Sequence, residues 1–267
     1  MLEKLIVEPG STPELNARRP DDHAGLAGKD EAGKELAKLV EELSTLHNRL
    51  YAEGRRSLLL ILQGLDASGK DGTIKKVLTG VNPQGCRIVS FKEPTATELA
   101  QDYLRRVHMA CPLRGEIGIF NRSHYEDVAT AGVRGLVPDA VRRQRPRHIR
   151  EFERLLVDEG TTVVKVFLHI SREEQGKRLR KRLENPEKAW KFRRSDLADR
   201  ARWDEFMRTY EEVIRETSTE WAPWHVVPAD RKWVRNVVVA RLLVDALHRI
   251  DPQLPPPEPG LSELVVD

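Results

Sequence analysis

Hydrophobic positions follow two alternating rhythms from about residue 31 to residue 250. Residues 31–53 carry Leu36, Leu39, Val40, Leu43, Leu46 and Leu50 at helical spacing, and Gly54 follows. That spacing predicts an amphipathic helix stopped by a glycine. Residues 57–64, SLLLILQG, form a continuous apolar run bounded by glycine, as in a strand buried on both faces of a parallel sheet. The alternation then repeats. Strands are predicted at 86–91, 115–120, 161–170 and 224–229. Helices are predicted at 69–79, 97–109 and 146–159, then as a long basic helix capped by Ser171, then at 199–217 and 232–250. Strands alternating with helices predict an α/β fold, a three-layer sandwich with a mostly parallel five-stranded sheet and helices on both faces. Residues 1–30, rich in Pro, Gly and Asp, read as an irregular arm laid across a neighbouring surface. Residues 251–267 read as a Pro-rich tail, leaving one domain over 31–250.

Composition bounds the function classes. Of 267 residues, 39% are hydrophobic and 33% charged, which suits a globular chain with a charged surface. Lys and Arg number 45 against 42 Asp and Glu, a net charge of +3, so an anionic partner must be argued from local clusters. The two cysteines, Cys86 and Cys111, are too few for a disulfide framework or a four-cysteine zinc site. The expected compartment is reducing and cytoplasmic. No apolar stretch approaches the roughly 20 residues of a membrane span.

In an open parallel sheet, ligands lie beyond the C-terminal ends of strands. The first strand ends in Gly64-Leu65-Asp66-Ala67-Ser68-Gly69-Lys70, which fits G-x-x-x-x-G-K between a strand and a helix. Its glycines allow a tight turn, and the N–H groups of Ala67, Ser68, Gly69, Lys70, Asp71 and Gly72 are candidates to cradle phosphate. Lys70 adds a mobile charge where negative charge shifts during transfer. The sandwich is therefore expected to be P-loop kinase-like. Two features depart from the ordinary loop. Asp71 stands where Ser or Thr normally holds magnesium. Asp66 lies inside the loop, a candidate Mg²⁺ ligand or general base whose alternative role is to stabilise the turn.

The third strand end reads Asn121-Arg122-Ser123-His124-Tyr125-Glu126-Asp127. Arg122 could clamp phosphate with both arms of its fork. Asp127, with Glu126, could hold metal opposite Asp66, or the two acids could simply complement a helix N-terminus. His124 beside Tyr125 reads better as a packing residue than as a base. Arg134 is a candidate contact to a nucleotide phosphate. Lys92 and Glu93 end the second strand and face the same crevice by topology, or else simply form a strand exit terminated by Pro94.

Residues 177–194 hold nine Lys or Arg against two acids. Arg178, Lys181 and Arg182 share one helix face. A basic segment between two long helices of a P-loop kinase reads as a lid, here about 178–198, closing over phosphates. A solvated basic face is the simpler alternative. The cluster RRQRPRHIR at 142–150 stays open between the two.

Taken together, the loop and the strand-end segment resemble the polyphosphate kinase 2 family. The loop is similar to that family's G-x-D-x-x-G-K-D-G, through Gly64, Asp66, Gly69, Lys70, Asp71 and Gly72. Asn121 to Tyr125 is similar to its second motif, commonly D-R-S-W-Y-N-R. Here Asn121 replaces Asp, His124 replaces Trp, and Glu126-Asp127 replaces Asn-Arg. That combination looks like the subgroup acting on both nucleoside mono- and diphosphates. The resemblance implies reversible, Mg²⁺-dependent transfer of a terminal phosphoryl group between inorganic polyphosphate and AMP or ADP. It further implies a polyphosphate channel lined by Arg178, Lys181 and Arg182. Catalysis is expected from Asp66, Lys70, Arg122 and Asp127, with metal on Asp66 and Asp127. Nucleotide contacts are expected from Lys92, Asn121, Glu126 and Arg134. Adenine nucleotides, with guanine nucleotides as further candidates, are the expected partners. Nucleic acid and membrane are not, and a homo-oligomer, dimer or tetramer, is. The rival readings are an ATP-dependent nucleoside or nucleotide kinase of the thymidylate kinase type and a non-catalytic P-loop protein holding RNA or DNA.

Overall fold

The computed structural model describes residues 2–260. Its strands are β1 (Ile6–Val7), β2 (Ser57–Gln63), β3 (Cys86–Ser90), β4 (Ile117–Asn121), β5 (Thr161–His169) and β6 (Trp224–Pro228). They form one sheet in the order β1-β6-β5-β2-β4-β3, parallel except for β1. The expected five strands are therefore six. The extra one comes from the arm taken to be irregular, where Ile6 and Val7 pair with His225 and Trp224. A two-residue strand is too short to show a period of two, so no pattern announces it. The arm lies on its own chain. Val7 and Leu15 are buried, and the Leu15 N–H donates to Glu211 at 2.7 Å.

All seven residues of β2 are buried. Successive strand side chains point to opposite faces, so both faces must be covered. One cover is α1 (Lys29–Glu53) against α11 (Lys232–Ile250), with α2 (Lys70–Val77) on α11. The other contains α5 (Ala129–Val133), α6 (Asp139–Asp158) and α10 (Trp203–Thr217), with α6 on β5. Between β5 and α10 run α7 (Arg172–Glu184), α8 (Pro186–Ala189) and α9 (Arg194–Ala201).

The helix expected over 97–109 is instead two short turns, α3 (Ala96–Leu99) and α4 (Arg105–His108). Thr95 and Glu98 close a capping box, and Asp102 Oδ1 accepts from the N–H groups of Leu104 and Arg105, at 3.1 and 3.0 Å. Side chains that cap the backbone here compete with one continuous helix. By contrast α6 starts seven residues before Pro146, which lies inside it. Reading that proline as a helix start cut the element short.

One buried ion pair ties the second cover to the sheet. Lys165 of β5 donates to Glu153 of α6 at 2.6 Å, to the Thr217 carbonyl at 2.6 Å and to Tyr125 Oη at 3.2 Å. The Tyr125 hydroxyl donates to Glu153 at 2.7 Å. Burial pulls Glu153 upward, but Lys165 outweighs it and holds the carboxyl below its usual range.

Candidate active site

β2 and β4 are neighbours in the sheet, but the helix after β2, α2, packs in the cover of α11, and the helix after β4, α5, packs in the cover of α10, so the chain switches faces between these two strands. The crevice beyond the C-terminal ends of β2 and β4 is where such folds bind ligands. Leu62 and Asn121 are in register, and the Arg122 N–H donates to the Leu62 carbonyl at 3.1 Å. The two sequence motifs thus leave the sheet side by side.

The loop from Gly64 to Lys70 turns sharply. Gly64 has φ +144, and a Cβ there would meet the Leu168 carbonyl at 2.8 Å. Ala67 holds φ +61 despite its side chain, and Arg122 holds φ +64 opposite it. Non-glycine residues in this region carry strain that surrounding structure must impose. Lys70 is buried and folds back on the loop, donating to the carbonyls of Gly64 at 2.5 Å and Leu65 at 3.4 Å. Burial, reinforced by the Arg122 charge, pulls the Lys70 ammonium down to about 8.

Asp66, Arg122 and Glu126 form a row beside Lys70. Arg122 Nη2 lies 2.5 Å from Asp66 Oδ1, and Nη1 lies 3.6 Å from Glu126 Oε2. Thr130 Oγ1 donates to Glu126 Oε2 at 2.7 Å. Burial raises Asp66, but Arg122 and Lys70 more than offset it, so the group lies below the usual carboxylate range and is ionised. Glu126 chiefly, followed by Asp66, raises Arg122 despite its burial. Gly64, Asp66, Arg122, Glu126, Asp199 and Tyr210 line a cavity at this point.

Asp127 faces elsewhere. Its carboxylate meets Arg106 at 3.4 Å and Arg145 at 4.0 Å, and its carbonyl accepts from Arg145 at 2.5 Å. Burial leaves the Asp127 carboxyl above the usual range, even with both guanidiniums pulling it down. The acid expected to oppose Asp66 is therefore committed to two cations. Glu126 is the carboxylate that shares Arg122 with Asp66. Glu126 and Asp127 are successive residues of a 3₁₀ turn (His124–Asp127), so their side chains leave it in different directions, and periodicity could not choose between them.

The remaining expected residues divide. Asn121 Nδ2 donates to Asp71 at 2.7 Å, and Lys191 reaches the same carboxylate at 3.1 Å, linking the basic segment to the start of α2. Arg134 forms a two-pronged pair with Asp199 of α9, at 3.1 and 2.7 Å, and lies 3.8 Å from Glu93. Lys92 is exposed, and its carbonyl accepts from Arg106. Lys181 is exposed, and Arg182 lies 3.4 Å from Asp196. Arg178 points inward. Its Nε donates to Glu174, Nη1 to the carbonyls of Ala67 and Ser68, and Nη2 to those of Ala229 and Asp230. Every donor direction of the fork is used on protein. His124 is fully buried, with Nε2 3.4 Å from Glu153.

A model of the polyphosphate kinase 2 family matches residues 27–255. The chain belongs to the polyphosphate kinase 2 family. Among polyphosphate kinase 2 relatives, it is 52% identical to the AMP/ADP-polyphosphate phosphotransferase of Meiothermus ruber, over the whole of both chains. It is 42% identical to the ADP-polyphosphate phosphotransferase of Rhodopseudomonas palustris, over 84% of this chain and 82% of that one. The crystal structure of polyphosphate kinase 2 from Arthrobacter aurescens TC1 superposes with a TM-score of 0.93 at 41% identity, covering 98% of this chain and 93% of that one.

Phosphotransferases of this kind generally require a divalent metal. The hard carboxylate oxygens of Asp66 and Glu126 fit one, because a small divalent cation is commonly held by one or two carboxylates together with substrate phosphates. Residues missed in the sequence are Arg106, Asp199, Gln175 and Arg235. Gln175 donates to the Asp66 carbonyl at 3.1 Å, and Arg235 to the Ser68 carbonyl at 3.0 Å. Each comes from an element far along the chain, and no local motif marks it. Among the described residues no helix is long and apolar enough to cross a membrane.

Proposed function

We propose that this chain transfers the terminal phosphoryl group of inorganic polyphosphate to AMP and ADP, reversibly, in the cytoplasm. The observation that carries the reading is the row Asp66–Arg122–Glu126 lying directly beside Lys70. Two polyanions must meet for this reaction, and such a row offers alternating charge to both. The donor and acceptor classes follow from the whole-length likeness to a protein named AMP/ADP-polyphosphate phosphotransferase.

An acceptor phosphate oxygen is already a nucleophile, so positioning and charge supply most of the catalysis. In this reading the loop N–H groups from Ala67 to Gly72 hold the transferred phosphoryl group. Lys70 swings from its own loop carbonyls to that group. Arg122 aligns donor and acceptor. Asp66 with Glu126 would hold Mg²⁺, which when bound neutralises phosphate charge between the two substrates. Asp127 keeps Arg106 and Arg145 in place. Lys181 and Arg182, on the lid of about 178–198, neutralise the polyphosphate chain. Lys92, Asn121 and Arg134 face the nucleotide, Arg134 being paired with Asp199 of α9 just beyond the lid. Assembly as a homo-oligomer, dimer or tetramer, belongs to the same reading.

An ATP-dependent kinase of the thymidylate kinase type is not favoured. Purified protein given ADP, Mg²⁺ and polyphosphate should form ATP, and given AMP should form ADP and then ATP. No nucleotide product from polyphosphate, with turnover from a nucleoside triphosphate donor instead, would sink the proposal.

A further inference from the structure

Arg235 of α11 is only 2% exposed, yet among the described residues it meets no carboxylate. Its Nη1 donates to the Ser68 carbonyl at 3.0 Å, and its Nε and Nη2 lie 3.4 and 3.1 Å from Asn236 Oδ1. A buried cation without an anion is costly, and a protein keeps one where something else supplies the counter-charge. The same Ser68 oxygen accepts a second guanidinium, Arg178 of α7, at 2.9 Å. Two charged forks from helices on either side of the loop thus converge on one peptide carbonyl. Gly69 makes the approach possible. It holds φ +107, and a Cβ at this position would overlap the Arg235 guanidinium.

The Ser68–Gly69 peptide is trans, so the Ser68 C=O and the Gly69 N–H point in opposite directions across one rigid plane. With the carbonyl aimed back at the two arginines, the N–H is aimed forward, into the concave side of the loop. A carbonyl that accepts charge-assisted bonds polarises its own peptide and strengthens the N–H as a donor.

We propose that Arg235 and Arg178 form a rear clamp on the Ser68–Gly69 peptide, orienting and polarising the Gly69 N–H toward the donor's phosphate, with the bound anion completing the charge that Arg235 lacks. Both are positioning residues, acting through the loop rather than touching substrate. This rests on the reading of the loop as the phosphate cradle. It assigns Arg178 a part behind the loop, distinct from the channel contacts of Lys181 and Arg182.

The test uses Arg235→Met and Arg235→Lys in the full chain. Melting temperature is measured with and without inorganic tripolyphosphate, and KM and kcat for polyphosphate are determined. Removing an uncompensated buried charge should leave the anion-free melting temperature of Arg235→Met near or above that of the wild type. Its tripolyphosphate-induced rise should fall by at least half, and its KM for polyphosphate should increase about tenfold. Arg235→Lys keeps the charge without the fork and should recover part of the rise. A lower anion-free melting temperature with an undiminished rise and an unchanged KM would mean that Arg235 only packs, and the clamp would be abandoned. Should Arg235→Met fail to fold, a wild-type KM in Arg235→Lys would overturn the proposal equally. Wild-type protein that shows no rise with tripolyphosphate would defeat the phosphate reading of the loop itself, a separate result.

Discussion

Lys70 shows how a single residue couples structure to function. Folded back on Gly64 and Leu65, its ammonium is buried and pulled down to about 8. In the unfolded chain a lysine titrates near 10.4. Between about pH 8 and that value the unfolded state therefore binds more protons, so this group's contribution to stability rises with pH across the window. Binding works the other way, because the phosphate needs the charged form. The KM for long-chain polyphosphate should climb roughly 25-fold between pH 7.5 and 9.5, as the charged fraction of Lys70 falls. A flat KM over that range would show that Lys70 stays charged or does not meet the donor. The loop residues, Arg122 and Glu126 were legible in the sequence because each is part of a contiguous motif. Asp199 and Arg106 were not, because they reach Arg134 and Asp127 from other elements.

At the scale of elements, strand β5 and helices α6 and α10 are locked by the Lys165–Glu153 pair and the Thr217 carbonyl. Lys165→Met leaves a buried Glu153 without its cation and should cost about 3–5 kcal/mol, read by urea unfolding. The double change Lys165→Met with Glu153→Leu should cost clearly less than the single one, since a buried pair replaced by apolar groups is often near neutral. Equal losses would mean that packing, and not the unpaired charge, sets the cost. Apolar runs predicted β2, β4, β5 and β6 closely, because a strand buried on both faces is written mostly with apolar residues, Lys165 with its buried partner being an exception. The stretch 97–109 escaped because Thr95 and Asp102 cap two turns where helical spacing suggested one helix. Its composition alone does not show which backbone groups those side chains will take.

For the whole molecule, the arm of residues 2–28 wraps back on the sheet edge that β6 would otherwise expose. The Ser218 hydroxyl donates to the Val7 carbonyl at 2.5 Å, the Asp230 N–H donates to Pro20, and β1 covers Trp224 and His225. Removing residues 1–10 strips a buried Val7 and an edge strand, costing about 2–4 kcal/mol. That corresponds to a fall of roughly 5–15 °C in melting temperature. The kcat of the folded fraction should hold, since β6 and β5 separate β1 from the phosphate loop on β2. An unchanged melting temperature would mean that the arm adds nothing to the fold. A lost kcat in folded protein would mean that it reaches the site.

What the sequence alone determined is local. The alternation of buried strands and amphipathic helices follows from side-chain period, and the loop from Gly64 to Lys70 follows from glycines at fixed offsets between a strand and a helix. Those two facts, with Asn121 to Asp127 at the next strand tip, were enough to point to phosphoryl transfer at one crevice. Only the tertiary structure decided how the charges are shared. It gave Asp127 to Arg106 and Arg145, left Glu126 with Asp66 on Arg122, and turned Arg178 and Arg235 onto the back of the loop. The physical reason is distance along the chain: partners brought together across tens of residues leave no periodic trace, and an ion pair is chosen by geometry that exists only after folding.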